Sequence, residues 1–261
     1  MRRGLVSFTA MLAALAGTLA CKPTPPPARA AVVVLVDLSG SVRRPEMIEL
    51  YERSFDAVAQ QLAPGDVLLV APVTAASEMT LDLPIREELA APNPPNDNPA
   101  VVKRIREQAA DKLKARLPDI EKRFRAWLEQ PDRKILNTDL FGAFSYAQQL
   151  FASYPEQPAK VLVVLSDMVQ DSPAHNFARQ RLTPRRSKAP LTTLRNAGQL
   201  PRLDGAQVHV AGASAGNSAR FHSIRNLWLA YFKAAGATLR PEDYGAAMVR
   251  FRISRGGGGA E

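Results

Sequence analysis

The chain has 261 residues, of which 46% are apolar and 23% are charged, a composition that is ordinary for a globular protein. The formal charge of +9 favours attraction to anionic surfaces such as phospholipid headgroups, anionic cell-wall polymers or nucleic acid. Cys21 is the single cysteine, so an intrachain disulfide is excluded. The length allows one large domain or two small ones, with a sizeable core.

The first thirty residues have the pattern of an export signal followed by a tether. Two arginines precede an apolar stretch from Leu5 to Ala20, which predicts a secretory signal peptide over residues 1–20. Cys21 follows directly, and its position resembles that of the lipid-modified cysteine of a bacterial lipoprotein. The prolines that follow predict a lipidated, extended tether over residues 21–30.

Ordinary signal cleavage after Ala30 is the alternative, although that site lies far beyond the apolar stretch. Thr18 and Leu19 fit the lipoprotein pattern less well than Ala20 does. We favour lipidation because Cys21 is solitary and adjoins the apolar stretch. Lys22 would then be the second mature residue, which by resemblance implies the outer membrane of a Gram-negative cell, with the protein facing the periplasm.

The first predicted strand ends in a group of oxygen-bearing side chains. Its Val-rich run from Ala31 to Val36 is typical of a strand that is buried on both faces. Asp37, Ser39 and Ser41 follow at the carboxyl end, where ligands collect in open α/β sheets. Carboxylate and hydroxyl oxygens suit Mg²⁺ or Mn²⁺. We expect Gly40 to permit the tight backbone that brings these side chains together.

Strand patterns and amphipathic helix patterns alternate along the rest of the chain. Further strands are predicted at 67–73, 160–166 and 206–211, and edge strands at 80–83 and 248–253. Helices are predicted at 45–62, 101–127, 139–152 and 217–235, with a kink or a new helix at Pro118 and a stop at Gly236. This alternation predicts an α/β fold: a doubly wound, mostly parallel six-stranded sheet with helices on both faces.

Two stretches lack these patterns. The segment between Pro173 and Pro201 is polar and irregular, and its basic cluster from Arg179 to Lys188 allows either phosphate or lipid binding or a solvated loop. Since no aromatic residues interleave regularly with this cluster, we expect no nucleic-acid partner. The Gly-rich tail at 255–261 has no core-forming residues and is expected to be disordered.

The segment Asp37-Leu38-Ser39-Gly40-Ser41 resembles the Asp-x-Ser-x-Ser motif of von Willebrand factor type A (VWA) domains. In that family the motif forms most of a metal-ion-dependent adhesion site (MIDAS), completed by a Thr from a later loop and an Asp after a later strand. Thr138 precedes a helix pattern, and Asp167 follows the second Val-rich strand, so both match in the family's order. The resemblance implies a Rossmann-like VWA domain over residues 31–254.

The resemblance also implies a function in protein binding. Asp37, Ser39, Ser41 and Thr138 would bind Mg²⁺ or Mn²⁺, and Asp167 would act through water. The ion is then short of negative charge and of one ligand, which an acidic residue of a partner protein completes. The expectation is an envelope-anchored adhesion or scaffolding module that is not an enzyme. A metal that only stabilises the loops of an envelope lipoprotein remains a milder alternative.

An enzymatic α/β protein is the alternative from a different class. A phosphatase of the haloacid-dehalogenase type needs an acidic residue where this chain has Ser39. The segment Gly212-Ala213-Ser214-Ala215-Gly216 matches the Gly-x-Ser-x-Gly string of α/β hydrolases. However, His222 follows it too closely, and no histidine comes later in the chain. These departures disfavour both enzymes.

Overall fold

A computed structural model of the chain describes residues 29–40, 44–77, 83–130, 137–173, 175–177, 189–248 and 251–255. The strands in these ranges are β1 (Ala30–Asp37), β2 (Val67–Val73), β3 (Ile85–Glu88), β4 (Ala159–Leu165), β5 (Gln207–Ala211) and β6 (Thr238–Tyr244). The helices are α1 (Pro45–Ala59), α2 (Pro99–Leu128), α3 (Leu140–Ala152), α4 (Ala189–Asn196) and α5 (Ser218–Ala234).

The strands form one six-stranded sheet in the order β3-β2-β1-β4-β5-β6. All neighbouring pairs are parallel except β2 and β3, which are antiparallel. The chain leaves β1 towards β2 on one side and later returns to β4 on the other, so the strand order reverses at β1. Ligand crevices of open α/β sheets lie at the carboxyl edge of such a reversal. The predicted doubly wound, mostly parallel α/β sheet is confirmed.

Helices cover both faces of the sheet. Alternate residues of β1 point to opposite faces, so Val33 belongs to a core with α3 and α5, and Val34 to a core with α1 and α2. Every residue from Ala30 to Asp37 is fully buried. On the second face Phe55 of α1 stacks on Phe124 of α2, with ring centroids 3.9 Å apart. The central strand therefore delivers its last side chain, Asp37, into a packed environment.

The two edge strands differ from the sequence prediction. Of the strand predicted at 80–83, residues 80–82 lie outside the described residues, and β3 begins at Ile85. The buried positions of β3 are Ile85 and the charged Glu87, so the strand does not alternate between apolar and polar residues. Of the strand predicted at 248–253, residues 249–250 lie outside the described residues. The rest of this prediction is wrong, because β6 ends at Tyr244 and the buried Phe251 and Ile253 pack on the second face without joining a strand.

The helices follow the prediction with two corrections. α2 runs as one helix through Pro118, so no second helix starts there. The stretch that was predicted to be irregular contains α4, while the basic cluster at 179–188 lies outside the described residues. Gly236 follows α5 with a φ of +81°, the left-handed geometry that ends a helix. Within the described ranges, no helix is both long and apolar enough to cross a membrane.

Candidate metal centre

Asp37 is the last residue of the central strand, and its carboxylate is held by hydrogen bonds from Ser39 and Ser166. Its Oδ1 accepts from the Ser39 backbone N–H at 2.9 Å, and its Oδ2 accepts from the Ser166 hydroxyl at 2.9 Å. Ser166 stands at the end of β4, the neighbour of β1 in the sheet. The carboxylate is thereby fixed at the carboxyl edge, pointing between β1 and β4.

Asp167 follows Ser166 at the same edge and is 9% exposed. Its Oδ1 accepts from the Val169 backbone N–H at 2.9 Å, which closes a tight turn. The turn places Met168 at a φ of 65°, a left-handed conformation that costs a non-glycine residue about 1–2 kcal/mol. Ser166 Oγ accepts from the Met168 N–H, and Trp228 Nε1 donates to the Met168 carbonyl. These bonds hold the strained turn that presents Asp167.

Thr138 reaches this edge through two backbone links. The Asp139 N–H donates to the Thr74 carbonyl at 3.0 Å, just beyond β2, and Thr138 pairs with Asp171, beyond β4. Because β2 and β4 flank β1, these links carry Thr138 across the carboxyl end of the strand that bears Asp37. Thr138 is 4% exposed, so its hydroxyl is enclosed within the loops.

Of the two serines in the motif, the structure describes only Ser39. Ser39 is buried, and its side chain hydrogen-bonds to Asp37. Ser41 lies outside the described residues. Gly40 does not have a positive φ, and a Cβ added there would meet no atom within 4 Å. The expected need for glycine at this position is therefore wrong.

The two carboxylates interact electrostatically. Burial and, to a smaller extent, the negative charge of Asp167 raise the pKa of Asp37 from 3.8 to about 6. The hydrogen bonds from Ser39 and Ser166 act in the opposite direction. A buried pair of acids whose charges repel is an environment that a divalent cation stabilises.

The donor set fits a hard divalent cation. Two carboxylates and the hydroxyls of Ser39 and Thr138 are oxygen donors of the kind that Mg²⁺ accepts together with water. Among the described residues there is no group of three or more His, Cys, Asp or Glu side chains suited to a metal. The candidate ligands are carboxylate and hydroxyl oxygens, which suit hard cations better than the softer ions that prefer Cys and His.

Three residues at this edge were not predicted from the sequence. Ser166 joins Asp37 to the turn of Asp167, and Gln170 joins that turn to α3, since its Oε1 accepts from the Leu140 N–H at 2.7 Å. Tyr51 of α1 is fully buried, and this burial, together with the negative charges of Asp37 and Asp167, raises the pKa of its phenol. Of these three, only Ser166 has a local signal in the sequence, because it is a serine at the end of an apolar strand.

A groove of about 530 Å³ adjoins the loop that carries Thr138. It lies over the start of α3, and its lining includes Asp139, Gln149, Ser172 and the half-buried His175. Because Asp139 and Ser172 are next to the bridged pair of Thr138 and Asp171, the groove borders the candidate metal centre with a largely polar surface.

The hydrolase motif does not show the geometry of a triad. Ser214 is exposed, and its backbone N–H donates to the Asp167 carbonyl at 3.2 Å. His209 is buried in β5, where its Nδ1 lies 3.3 Å from Asp243 Oδ1, and His222 is exposed on α5. The segment around Ser214 therefore supports the turn of Asp167.

No family model matches the sequence, and no curated protein sequence matches it either. Solved structures do match. One is a von Willebrand factor type A structure from Catenulispora acidiphila, with 14% identity and a TM-score of 0.39, covering 82% of this chain and 39% of that one. Another is proximal thread matrix protein 1 from the mussel byssus, with 12% identity and a TM-score of 0.41, covering 80% and 49%.

A further structure of the mussel protein is described as having a zinc-occupied MIDAS motif, and it matches with 10% identity and a TM-score of 0.39. It covers 76% of this chain and 39% of that one. The chain thus spans less than half the length of each of these three structures. At such TM-scores these likenesses carry no argument about function.

Proposed function

We propose that this chain is a VWA-type domain that binds a divalent cation at the carboxyl edge of its sheet and, through the cation, an acidic side chain of a partner protein. The observation that carries the proposal is the convergence of Asp37 and Asp167, two buried carboxylates at one edge of the sheet, where burial and then the charge of Asp167 raise the pKa of Asp37 to about 6. The ligands would be Asp37, Ser39, Ser41 and Thr138, with Asp167 acting through water. Mg²⁺ or Mn²⁺ is the expected ion.

The charge count supports a carboxylate from outside. An ion held by one direct carboxylate and three neutral hydroxyls keeps net positive charge, so a further anionic oxygen binds favourably. The chain's formal charge of +9 also favours approach of an acidic partner. The bound ion would act as a Lewis acid that accepts the further oxygen, and the loops would orient the oxygen atoms that hold the ion. We propose no catalytic turnover.

The protein is proposed to act at the cell envelope as an adhesion or scaffolding module. The signal pattern at 1–20, Cys21 and the Pro-rich tether at 21–30 support a lipoprotein of the outer membrane that faces the periplasm. The domain at 31–254 would then be tethered to the membrane, and its partner would be another envelope or periplasmic protein.

Thermal unfolding with and without Mg²⁺ tests the metal site. An ion that binds the folded state raises the melting temperature, and at 100 times its Kd it adds about 2.7 kcal/mol of stability. Asp37→Asn, which keeps the side-chain shape, should remove this response. Capture of partners from an envelope extract should fail both in chelator and with the variant. Equal melting temperatures in Mg²⁺ and in chelator would refute the site.

A further inference from the structure

Tyr51 is a buried polar side chain that the proposed ligand set does not use. It lies in α1 with no exposed surface, and its hydroxyl has no hydrogen-bond partner among the described residues. Buried hydroxyls are nearly always paired, so a partnerless one indicates a missing partner.

The contacts of Tyr51 place it at the candidate metal centre. A Cβ added to Gly212, directly after β5, would lie 3.1 Å from Tyr51 Cε1 and 3.0 Å from the Ser166 carbonyl oxygen. The ring edge and the carbonyl that precedes Asp167 therefore both lie next to Gly212. The charges of Asp37 and Asp167 both act on its phenol. The phenol is therefore influenced by both carboxylates, and its hydroxyl has no hydrogen bond of its own among the described residues.

We propose that Tyr51 is a positioning residue of the metal centre, whose hydroxyl donates a hydrogen bond to the oxygen atoms that surround the bound cation. This inference rests on the proposed function. Groups that orient the oxygens around a metal typically change its affinity by 10- to 100-fold. The phenol would satisfy its donor when the site is loaded, which links ion binding to the packing of α1.

The test compares Tyr51→Phe with wild type in Mg²⁺ titrations followed by calorimetry. Phenylalanine fills the same space, so the melting temperature in chelator should equal or exceed that of wild type. The Kd for Mg²⁺ should rise about 10-fold. Wild type should also show a tyrosine absorption change in the near ultraviolet on addition of Mg²⁺, and the variant should lose it.

Tyr231→Phe is the matched control. Tyr231 is also buried, and its hydroxyl also lacks a partner among the described residues, but it packs on the other face of the sheet with α3. This variant should bind Mg²⁺ as wild type does. If Tyr51→Phe binds Mg²⁺ with unchanged affinity while wild type responds, the role of Tyr51 is wrong and the metal site stands. If wild type itself does not bind Mg²⁺, both proposals are wrong.

Discussion

Asp37 is an acid placed where its charge is unfavourable. The strand that carries it is completely buried, and Asp167 adds a second negative charge at the same edge. The pKa of about 6 exceeds the ordinary value of 3.8, so the folded state holds a proton more tightly than the unfolded chain does. Folding is therefore favoured by protonation of this group, and in metal-free protein that contribution is full below pH 3.8 and is lost as the pH rises through 6.

We predict that the metal-free protein loses stability through Asp37 as the pH rises from about 4 to 7. A difference of about 2 pKa units corresponds to about 3 kcal/mol. The measurement is urea unfolding in chelator across this range, with Asp37→Asn as the comparison. The variant cannot ionise here, so its free energy of unfolding should fall by about 3 kcal/mol less than that of wild type. Mg²⁺ at pH 7 should restore the loss in wild type only.

Glu156→Gln provides the control for this measurement, because the Glu156 side chain is 82% exposed. Its pH profile should follow that of wild type. A profile of Asp37→Asn that also coincides with wild type in chelator would contradict the electrostatic account of the site.

Ser166 connects Asp37 to the turn of Asp167, so we expect its removal to lower the free energy of unfolding by more than the loss of an exposed serine would. Its hydroxyl donates to Asp37 Oδ2 and accepts from the Met168 N–H, each at 2.9 Å, and it is fully buried. Ser166→Ala leaves both groups without this partner, so we predict a loss of about 2–3 kcal/mol in urea unfolding. Ser153→Ala removes an exposed hydroxyl that bonds within α3 and should change stability by less than about 0.5 kcal/mol. Equal effects would contradict the role of Ser166.

At the scale of single residues, the sequence predicts the two acids but not the residues that hold them in place through hydrogen bonds. Asp37 and Asp167 follow Val-rich strands, a local signal that needs no tertiary information. The partnership of Ser166 with Asp37 joins residues 129 positions apart, and that of Gln170 with Leu140 joins residues 30 apart. No local pattern encodes such pairs, because they depend on which strands and loops become neighbours.

One buried carboxylate links the helix α2 to the edge strand β3. Glu87 is 3% exposed, its Oε2 lies 2.5 Å from Arg116 Nη2, and its Oε1 contacts Arg123 Nη2. Both arginines belong to α2, and both are about half exposed. A buried charge with two partners tolerates the loss of one and not of both, since the second loss leaves it unpaired.

We predict that Arg116→Ala and Arg123→Ala each lower the free energy of unfolding by about 1 kcal/mol, and that the double variant loses about 3–5 kcal/mol. The part of the double variant's loss that exceeds the sum of the two single losses measures the free-energy cost of burying Glu87 without a cationic partner. Chemical denaturation of the four proteins completes the cycle. Arg53→Ala, which breaks an exposed pair with Glu49, should cost less than about 0.5 kcal/mol. Additive losses would contradict the shared carboxylate.

At the scale of elements, the sequence predicts the centre of the sheet better than its edges. β1, β2 and β4 are continuous apolar runs because helices cover both of their faces. β6 includes Pro241 and several charges, which an edge strand tolerates because one side lacks a partner strand. The alternation of Phe251 and Ile253 reflects packing of an irregular segment against the second face, so it gave a false strand signal.

The start of β1 and the candidate metal centre lie at opposite ends of the central strand. β1 runs from Ala30 to Asp37, whose Cα atoms are about 23 Å apart at 3.3 Å per residue step. The proposed tether joins the domain at the first of these ends. A protein anchored there would present its metal centre away from the membrane surface, which suits capture of a partner in the periplasmic space.

The start of β1 also bears on the proposed processing. The Ala30 N–H donates to the buried Asp66 Oδ1 at 2.8 Å, and the Arg29 carbonyl accepts from Ala159 at 3.2 Å. Cleavage after Ala30 would remove the first residue of the central strand together with these bonds.

We predict that the exported protein is held in the membrane fraction through Cys21 and that Cys21→Ser releases it into the soluble periplasmic fraction. The domain itself should be unaffected, since β1 begins nine residues after the cysteine, so the variant should keep the Mg²⁺-dependent rise in melting temperature. Thr24→Ser, a change of similar size in the tether, should leave the protein in the membrane fraction. Wild-type protein found in the soluble fraction, or a mature amino terminus that mass spectrometry places at Ala31 without a lipid, would contradict the anchor and leave the metal centre untouched.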